Sequence, residues 1–415
     1  MNASLKNIAD ASRDSEIPTQ NAARNQAASS VEIASRDDFD RDVWSILGMP
    51  IDIANVNDAL SAIDNAKRDA VQLSVVTPNI NWFVRAMADK SARNEVTNAN
   101  LSLVDGAPLV KIAKWLGAPI SSRVAGSDLF EALRRRPGFP GSTMSVFFFG
   151  GRDGAAEAAV EALNREGGGI KAVGSLNPGF GSVETMSSDA IIDQINAADP
   201  DFVVVALGAA KGQAWIERNL DRLNARIISH LGAVVDFTAG TIARAPVFWQ
   251  RAGLEWLWRI RQEPALWSRY AKDAFSLARV MMTQLAPALW ARFRAKPAGS
   301  PAHAALTSAP LHARIDLSGD ASHKDLDTIR KAFRAAAKGG RDVVLGFSDD
   351  FTGDAAFFGQ ILMLQKHLQR SGARIFVTGE SRAMKTQLTV NKINVLEWRE
   401  GEQDAAPARD QAMAS

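Results

Sequence analysis

The 415-residue chain contains no cysteine. Disulfide frameworks, cysteine-based zinc sites and cysteine nucleophiles are therefore excluded, and the composition suits a reducing compartment. Neither sign of charge is in excess. Lys and Arg number 48 against 46 Asp and Glu, a net of +2, so the chain carries no global electrostatic footprint and no nucleic-acid partner is expected. Nowhere do roughly eighteen apolar residues follow one another, so no transmembrane helix is expected and any membrane contact would be peripheral. The opening stretch Met1–Ser30 lacks the apolar core of a secretory signal and is rich in Asn, Ala, Ser and Asp. Residues 1–40 read as a disordered tail. What the chain does have is 46% apolar residues, enough for a sizeable core, over a length that invites a two- or three-part organisation.

From Asp52 to about Gly240, short β-branched runs alternate with helical patterns. The runs Ser74–Val76, Leu101–Val104, Val146–Phe149, Ile170–Ser175, Phe202–Leu207 and Arg226–Ser229 predict strands. Most are continuously apolar, as expected of a parallel sheet covered by helices on both faces. Helices are expected at Ala107–Leu116, Ala155–Arg165 and Asp189–Ala197. The fold class is thus α/β, a Rossmann-like parallel sheet over 45–243. Composition changes at 244–295, where Trp249, Trp256, Trp258, Trp267 and Trp290 interleave with eight arginines between Arg244 and Arg294, giving a helical appendage. Residues 296–310 are a Pro/Ala/Ser linker. A second small unit over 311–398 follows in βαβαβα order, with strands at Ala313–Leu317, Asp342–Phe347 and Arg374–Thr378, then a polar tail over 399–415. No internal repeat is apparent.

Open α/β sheets bind ligands beyond the carboxyl ends of their strands. Thr77-Pro78-Asn79 follows the first strand, and Asp105-Gly106 the second. Gly150-Gly151-Arg152-Asp153-Gly154 and Gly208-Ala209-Ala210-Lys211-Gly212-Gln213 each run from a strand into a helix. Such glycine-rich turns suit phosphate, because exposed N–H groups and the helix dipole favour anions. They are equally ordinary tight turns, and neither matches a dinucleotide or Walker motif. Asp105 has two open readings: a group acting on ligand, or an N-cap for the helix containing Pro108. For a metal, Asp-x-Asp occurs at Asp38–Asp40, Asp40–Asp42, Asp199–Asp201 and Asp325–Asp327, none of them at the expected ligand edge. No metal site and no cofactor are expected, and arginine and lysine are left as the agents of phosphate neutralisation.

In order along the chain stand Thr-x-Asn, Asp-Gly, R-V-A-G-S-D-L at Arg123–Leu129, and F-F-G-G at Phe148–Gly151. They are followed by L-G-A-x-K at Leu207–Lys211, G-A-V-V-D-F-x-A-G at Gly232–Gly240, R-A-P at Arg244–Pro246 and G-L-E-W-L-W-R at Gly253–Arg259. This ordered set resembles the WecG/TagA/CpsF glycosyltransferases, glycosyltransferase family twenty-six, over about Ile51–Lys272. The resemblance implies an inverting, metal-independent transferase on the inner face of the cytoplasmic membrane. Its partners would be a UDP-sugar donor and a polyprenyl-diphosphate-linked acceptor. It places the general base on Asp105, with Thr77 as its catalytic neighbour and Asn79 on the substrate. Arg123, Arg244, Arg251 and Arg259 fall on the diphosphate. Gly150, Gly151, Gly208, Lys211, Gln213 and Asp236 are the remaining substrate-binding candidates. One departure bears on the donor, which in relatives carries N-acetylmannosamine, its uronic acid or glucose. The family's G-A-P-K-Q-E-x-W-I reads G-A-A-K-G-Q-A-W-I at Gly208–Ile216.

The appendage also has a reading from physical chemistry alone. Tryptophan favours the headgroup region and arginine is drawn to anionic lipid, so 244–294 is expected to dock on a membrane, against the alternative of a packed helical subdomain. The 311–398 unit resembles a STAS domain, carrying Asp349-Asp350-Phe351-Thr352-Gly353-Asp354 ahead of a long helix. A scaffold role with a protein partner is expected of it, separable from the chemistry because every catalytic motif precedes the linker. The competing function is a non-catalytic nucleotide-sugar-binding STAS-type regulator.

Overall fold

The computed structural model describes residues 37–138, 143–242, 245–246, 248–249, 254–294 and 299–398. The expected tails over 1–36 and 399–415 lie outside the described residues, as do Arg244 and Arg251.

The central sheet has six parallel strands in the order β4-β3-β8-β7-β5-β6. In chain order β1 is Val43–Ile46, β2 Met49–Asp52, β3 Leu73–Val76, β4 Leu101–Ser102, β5 Met144–Gly150, β6 Ile170–Leu176, β7 Phe202–Ala206 and β8 Ile227–His230. Alternate residues of each strand go to opposite faces. Val146, Phe148 and Val204 join the core beneath helices Val56–Arg68, Gly126–Arg134 and Ala155–Glu166. Phe147, Phe149, Val203 and Val205 pack on the other side against Trp215 and Ile192. Burial on both faces is why these strands read as unbroken apolar runs.

The second sheet, β15-β14-β12-β10-β9, is built from β9 (His303–Ser308), β10 (His312–Ser318), β12 (Asp342–Phe347), β14 (Ile375–Thr378) and β15 (Leu396–Glu397). A two-residue pair, β11 (Asp320–Ala321) with β13 (Thr352–Gly353), stands beside it. The three expected strands of this unit are present. The expected linker over 296–310 is corrected: His303–Ser308 pairs antiparallel with β10, so part of that span is an edge strand.

Two further corrections concern the N-terminal boundary and the separability of the last unit. Asp38 and Phe39, placed by sequence in a disordered tail, are each 2% exposed. The described residues, Asp37 to Trp398, cluster as one unit, and a single apolar core runs from Phe39, Trp44 and Ile51 through Phe83 to Phe333, Phe357 and Ile361. The β1–β2 hairpin lies directly on helix Ala355–Arg370, and a Cβ at Gly359 would stand 2.0 Å from the Val43 carbonyl oxygen. The contact admits no side chain at that position.

Ions seal this seam. Arg41, fully buried, grips Asp52 through Nε and Nη2 at 3.0 and 2.7 Å, and donates to Asp38 Oδ1. Lys366 of the long helix reaches Asp38 Oδ2 at 2.9 Å and the Ala99 carbonyl at 3.2 Å. Two acids therefore meet two bases. Burial works against ionised Asp38, but its bond to His367 and the charges of Arg41 and Lys366 outweigh that, holding the carboxyl far below the usual carboxylate range.

Candidate active site

The site is assembled by short backbone bonds between loops at the carboxyl edge of the sheet. Leu103 N–H donates to Val76 O at 2.9 Å, Asp105 N–H to Pro78 O at 3.0 Å, and Val124 N–H to Val104 O at 2.8 Å. The Thr77, Asp105 and Arg123 loops are thereby stitched side by side. Gly126 opens the next helix so close to the first loop that a Cβ there would lie 3.2 Å from Thr77 Oγ1.

Asp105 is not a cap. The helix Ala107–Trp115 begins at Gly106, whose φ is 93°, with no side-chain capping bond. The carboxylate instead lies 3.8 Å from Arg123 Nη1. Burial pushes its pKa up to about 6, with Arg123 pulling it down and Glu255 pushing it up further. At neutral pH it is an ionised base with a raised proton affinity.

Arg123 is shared among three acids: besides Asp105, its Nη2 is 2.5 Å from Glu255 Oε1 and 3.6 Å from Asp128 Oδ2. Glu255 belongs to helix Glu255–Gln262, so the appendage folds back onto the site and brings Arg259 of that helix within electrostatic reach of Asp105. A second bridge does the same across the cleft: Arg152 Nη2 is 2.8 Å from Glu263 Oε1, and its Nε is 4.0 Å from Asp236 Oδ1. Glu255, Glu263 and Asp128 were not singled out by sequence. All three stood inside motifs of the ordered set, G-L-E-W, Q-E-P at Gln262–Pro264 and R-V-A-G-S-D, but their role depends on partners up to 132 positions away.

The glycine turns use the backbone freedom that only glycine has. Gly150, Gly151 and Gly208 have φ of 89°, 108° and 82°, conformations that favour glycine, and a Cβ at Gly150 would stand 2.8 Å from Ala206 O. Helices Ala155–Glu166 and Ala209–Asn219 start behind them without side-chain caps. The other candidates divide. Asn79 caps helix Ile80–Ala88, accepting from Trp82 N–H at 3.2 Å. Lys211 Nζ donates to Gly181 O at 2.8 Å. Gln213 is 2% exposed, inside the helix face. Asp201 of the Asp-x-Asp in the main sheet binds Lys67 at 2.8 Å and Ser145 N–H at 2.8 Å, a structural engagement at the opposite edge.

The departure at Gly212 has a physical cause. A Cβ at that position would stand 2.2 Å from His230 Cδ2, so the imidazole at the end of β8 fills the space of the missing side chain. Burial pushes the His230 pKa down to about 4, leaving the ring neutral.

A parallel sheet carrying a carboxylate of raised pKa, bridging guanidinium groups and two glycine turns along one edge defines a Rossmann-like α/β enzyme. The chain belongs to the glycosyl transferase WecG/TagA/CpsF family, whose model matches residues 44–289. It is 31% identical over 195 residues to the N-acetylglucosaminyldiphosphoundecaprenol N-acetyl-beta-D-mannosaminyltransferase of Bacillus spizizenii, covering 47% of this chain and 73% of that one. Among solved structures, a GTP-binding protein from Sulfolobus solfataricus in complex with GDP aligns at 12% identity over 60% of this chain and 88% of its own. Its TM-score is 0.19, too low to carry an argument.

Proposed function

We propose that this glycosyltransferase moves a sugar from a UDP-sugar to a polyprenyl-diphosphate-linked acceptor, with inversion and without a catalytic metal. The observation carrying the reading is Asp105, raised to about 6 and lodged between the Thr77 loop and Arg123. Its carboxylate accepts the proton of an acceptor hydroxyl as that oxygen attacks the anomeric carbon. The bond from that carbon to the UDP oxygen breaks on the far face, and Arg123 and Arg259 meet the charge developing on the departing diphosphate. Arg244 and Arg251 are assigned the same task from sequence. The sugar is N-acetylmannosamine, its uronic acid or glucose. The relative from Bacillus spizizenii, named as an N-acetylmannosaminyltransferase, favours the first. Incubating the protein with a panel of UDP-sugars and a short polyprenyl-diphosphate glycolipid tests this directly: no glycolipid product from any donor refutes it.

Two predictions belong to this mechanism. A base must be deprotonated to act, so kcat/KM falls as pH drops through about 6 and is flat from 7 to 8; a limb centred near pH 4 would mean that another group is titrating. Transfer is also expected to continue in EDTA, because Arg123 and Arg152 stand at the cleft and guanidinium groups meet phosphate charge in a metal's place. An absolute requirement for Mg²⁺ would overturn that.

Membrane docking by 244–294 is part of the proposal. No helix among the described residues is long and apolar enough to cross a membrane. Helix Leu266–Val280 continues through a π turn at Met281–Leu285 into Ala286–Arg294. Along it Trp267, Phe275, Met282 and Trp290 are all exposed, at helical intervals that place them on one side. Arg269, Lys272 and Arg279 lie between them, all exposed. Trp258 departs from the lipid-facing expectation, being half-buried with its ring against Trp249. Charge reversal at Arg261 and Arg269 to Glu is expected to weaken binding to anionic liposomes several-fold at low salt, and less at high salt. Equal binding by the variant would return the segment to an ordinary packed subdomain.

A further inference from the structure

Away from the carboxyl edge of the large sheet, a crevice of about 280 Å³ opens between helix Lys90–Thr97 and the last unit. Lys90, Arg93 and Lys392 line it, together with the amides of Asn94, Gln365 and Asn394. No carboxylate is among its lining residues. The acid next to it in sequence, Asp89, spends both oxygens on the amides of Ser91 and Ala92 at 3.0 and 3.2 Å, capping the helix.

Lys392 is held there against local preference. Helix Arg382–Val390 ends in a Schellman arrangement, with Lys392 N–H on Thr389 O at 3.0 Å and Ile393 N–H on Leu388 O at 3.0 Å. The residue at the turn must be left-handed, and glycine or asparagine normally stands there. Here it is a lysine with φ of 54°, a conformation that crowds the Cβ of any residue but glycine. Its stem runs over Gly48, where a Cβ would lie 2.7 Å from Lys392 Cβ. Burial and the neighbouring Arg93 push the Lys392 pKa down, and burial pushes that of Arg93 down. Two partly dehydrated cations thus face each other across a crevice with no acid in its lining, Arg93 having one Nη on the Ala86 carbonyl at 2.6 Å and the charge of Asp89 behind it, and Lys392 sits on a backbone that a glycine would fit better. Leu47, Ala70 and Asp199 share that backbone conformation, but of the four only Lys392 is a cation lining this crevice.

We propose that this crevice is a second ligand site, taking a small phosphate-bearing anion and bridging the transferase core to the last unit. The volume is below the roughly 300–1,000 Å³ of sites for drug-sized ligands, which suits a compact diphosphate or phosphomonoester headgroup. Lys392 and Arg93 supply the charge, and the amides of Gln365 and Asn394 orient the oxygens. Bound anion would join helix Lys90–Thr97 to helix Ala355–Arg370. Helix Ile80–Ala88, which starts at the Thr77–Asn79 loop, ends beside Lys90, so the two sites are connected by one short helix.

The test is calorimetry on the full chain, titrating inorganic diphosphate after UDP has been added to saturation. One further equivalent is expected to bind the wild type, at least tenfold more weakly in Lys392→Gly and in Lys90→Ala. Lys392→Gly is also expected to raise the melting temperature without anion, since it relieves the left-handed turn, which separates lost binding from lost folding. Vesicles containing phosphatidic acid form a second arm: competition with diphosphate identifies the anion as a lipid headgroup, and no competition as a free phosphate compound. Absence of the further equivalent, or equal affinity in both variants, overturns the proposal. A failure of UDP itself to bind would count against the donor assignment and leave this comparison intact.

Discussion

Asp105→Asn is expected to lower sugar transfer by about 10²–10⁴-fold, the usual loss when a general base is removed, while the protein folds at least as well as before. Both halves follow from the same geometry. The carboxylate is the group at the β4 edge whose proton affinity is raised toward neutrality, and an amide cannot take a proton there. For stability, the folded pKa of about 6 lies above the ordinary aspartate value of 3.8. The fold's preference for the protonated form is therefore fully expressed below about pH 4 and is lost as pH rises through 6. At pH 8 the ionised carboxyl is a liability, which asparagine removes. Arg123 is not orphaned either, since Glu255 and Asp128 remain at 2.5 and 3.6 Å. Turnover and thermal melting at pH 8 check the two halves together. A variant that melts normally and turns over at near-native rate removes Asp105 from the mechanism.

Asp105 stood out as a candidate because a carboxylate directly behind an apolar strand has few bland explanations, and the structure removes the capping one. The parallel strands were legible for a related reason: double-sided burial demands continuous apolar runs such as Phe202–Ala206. The β1–β2 hairpin was hidden by its turn. Leu47 and Gly48 have φ of 54° and 92°, both left-handed, in a two-residue loop that normally announces itself as Asn-Gly. A leucine there is tolerated because its side chain is 1% exposed, but it gives no turn signal. The edge strand β9 was hidden by composition, since His303–Ser308 is mostly exposed and carries no strong apolar alternation. The Arg123–Glu255 and Arg152–Glu263 bridges were beyond reach for another reason. Each pairs residues more than a hundred positions apart, and nothing local marks an acid that will be brought back over a distant cleft.

The seam between the core and the last unit carries the second large effect. Ending the chain at Lys296 is expected to yield aggregated, inactive protein. The cut would strip the cover from Phe39, Val43, Trp44, Ile46, Met49 and Ile51, all at most 2% exposed in the intact fold. At about 1.5–3 kcal/mol for each such side chain, even half of this cost rivals the 5–15 kcal/mol by which domains are stable. The same cut removes Lys366 from a balanced cluster of two acids and two bases, so an aggregated fragment alone would not say which loss matters. Asp38→Ala resolves this in the full chain. It leaves Arg41 and Lys366 buried against a single remaining acid, Asp52, and breaking such a buried set typically costs about 3–5 kcal/mol. The loss should be visible at neutral pH by denaturant unfolding. It should shrink as pH falls below about 4, because a carboxyl held far below its ordinary pKa stabilises only above the unfolded value and loses that contribution on acidification. Activity should fall with stability. Arg41 and Lys366 both hold the Ala99 carbonyl, and Asp52 Oδ2 accepts from Ser102 N–H at 2.7 Å, so the cluster grips both ends of the strand that presents Asp105. A soluble, active fragment ending at Lys296, or an Asp38→Ala protein as stable as the wild type, would show that the last unit only rests on the core and does not hold the catalytic strand.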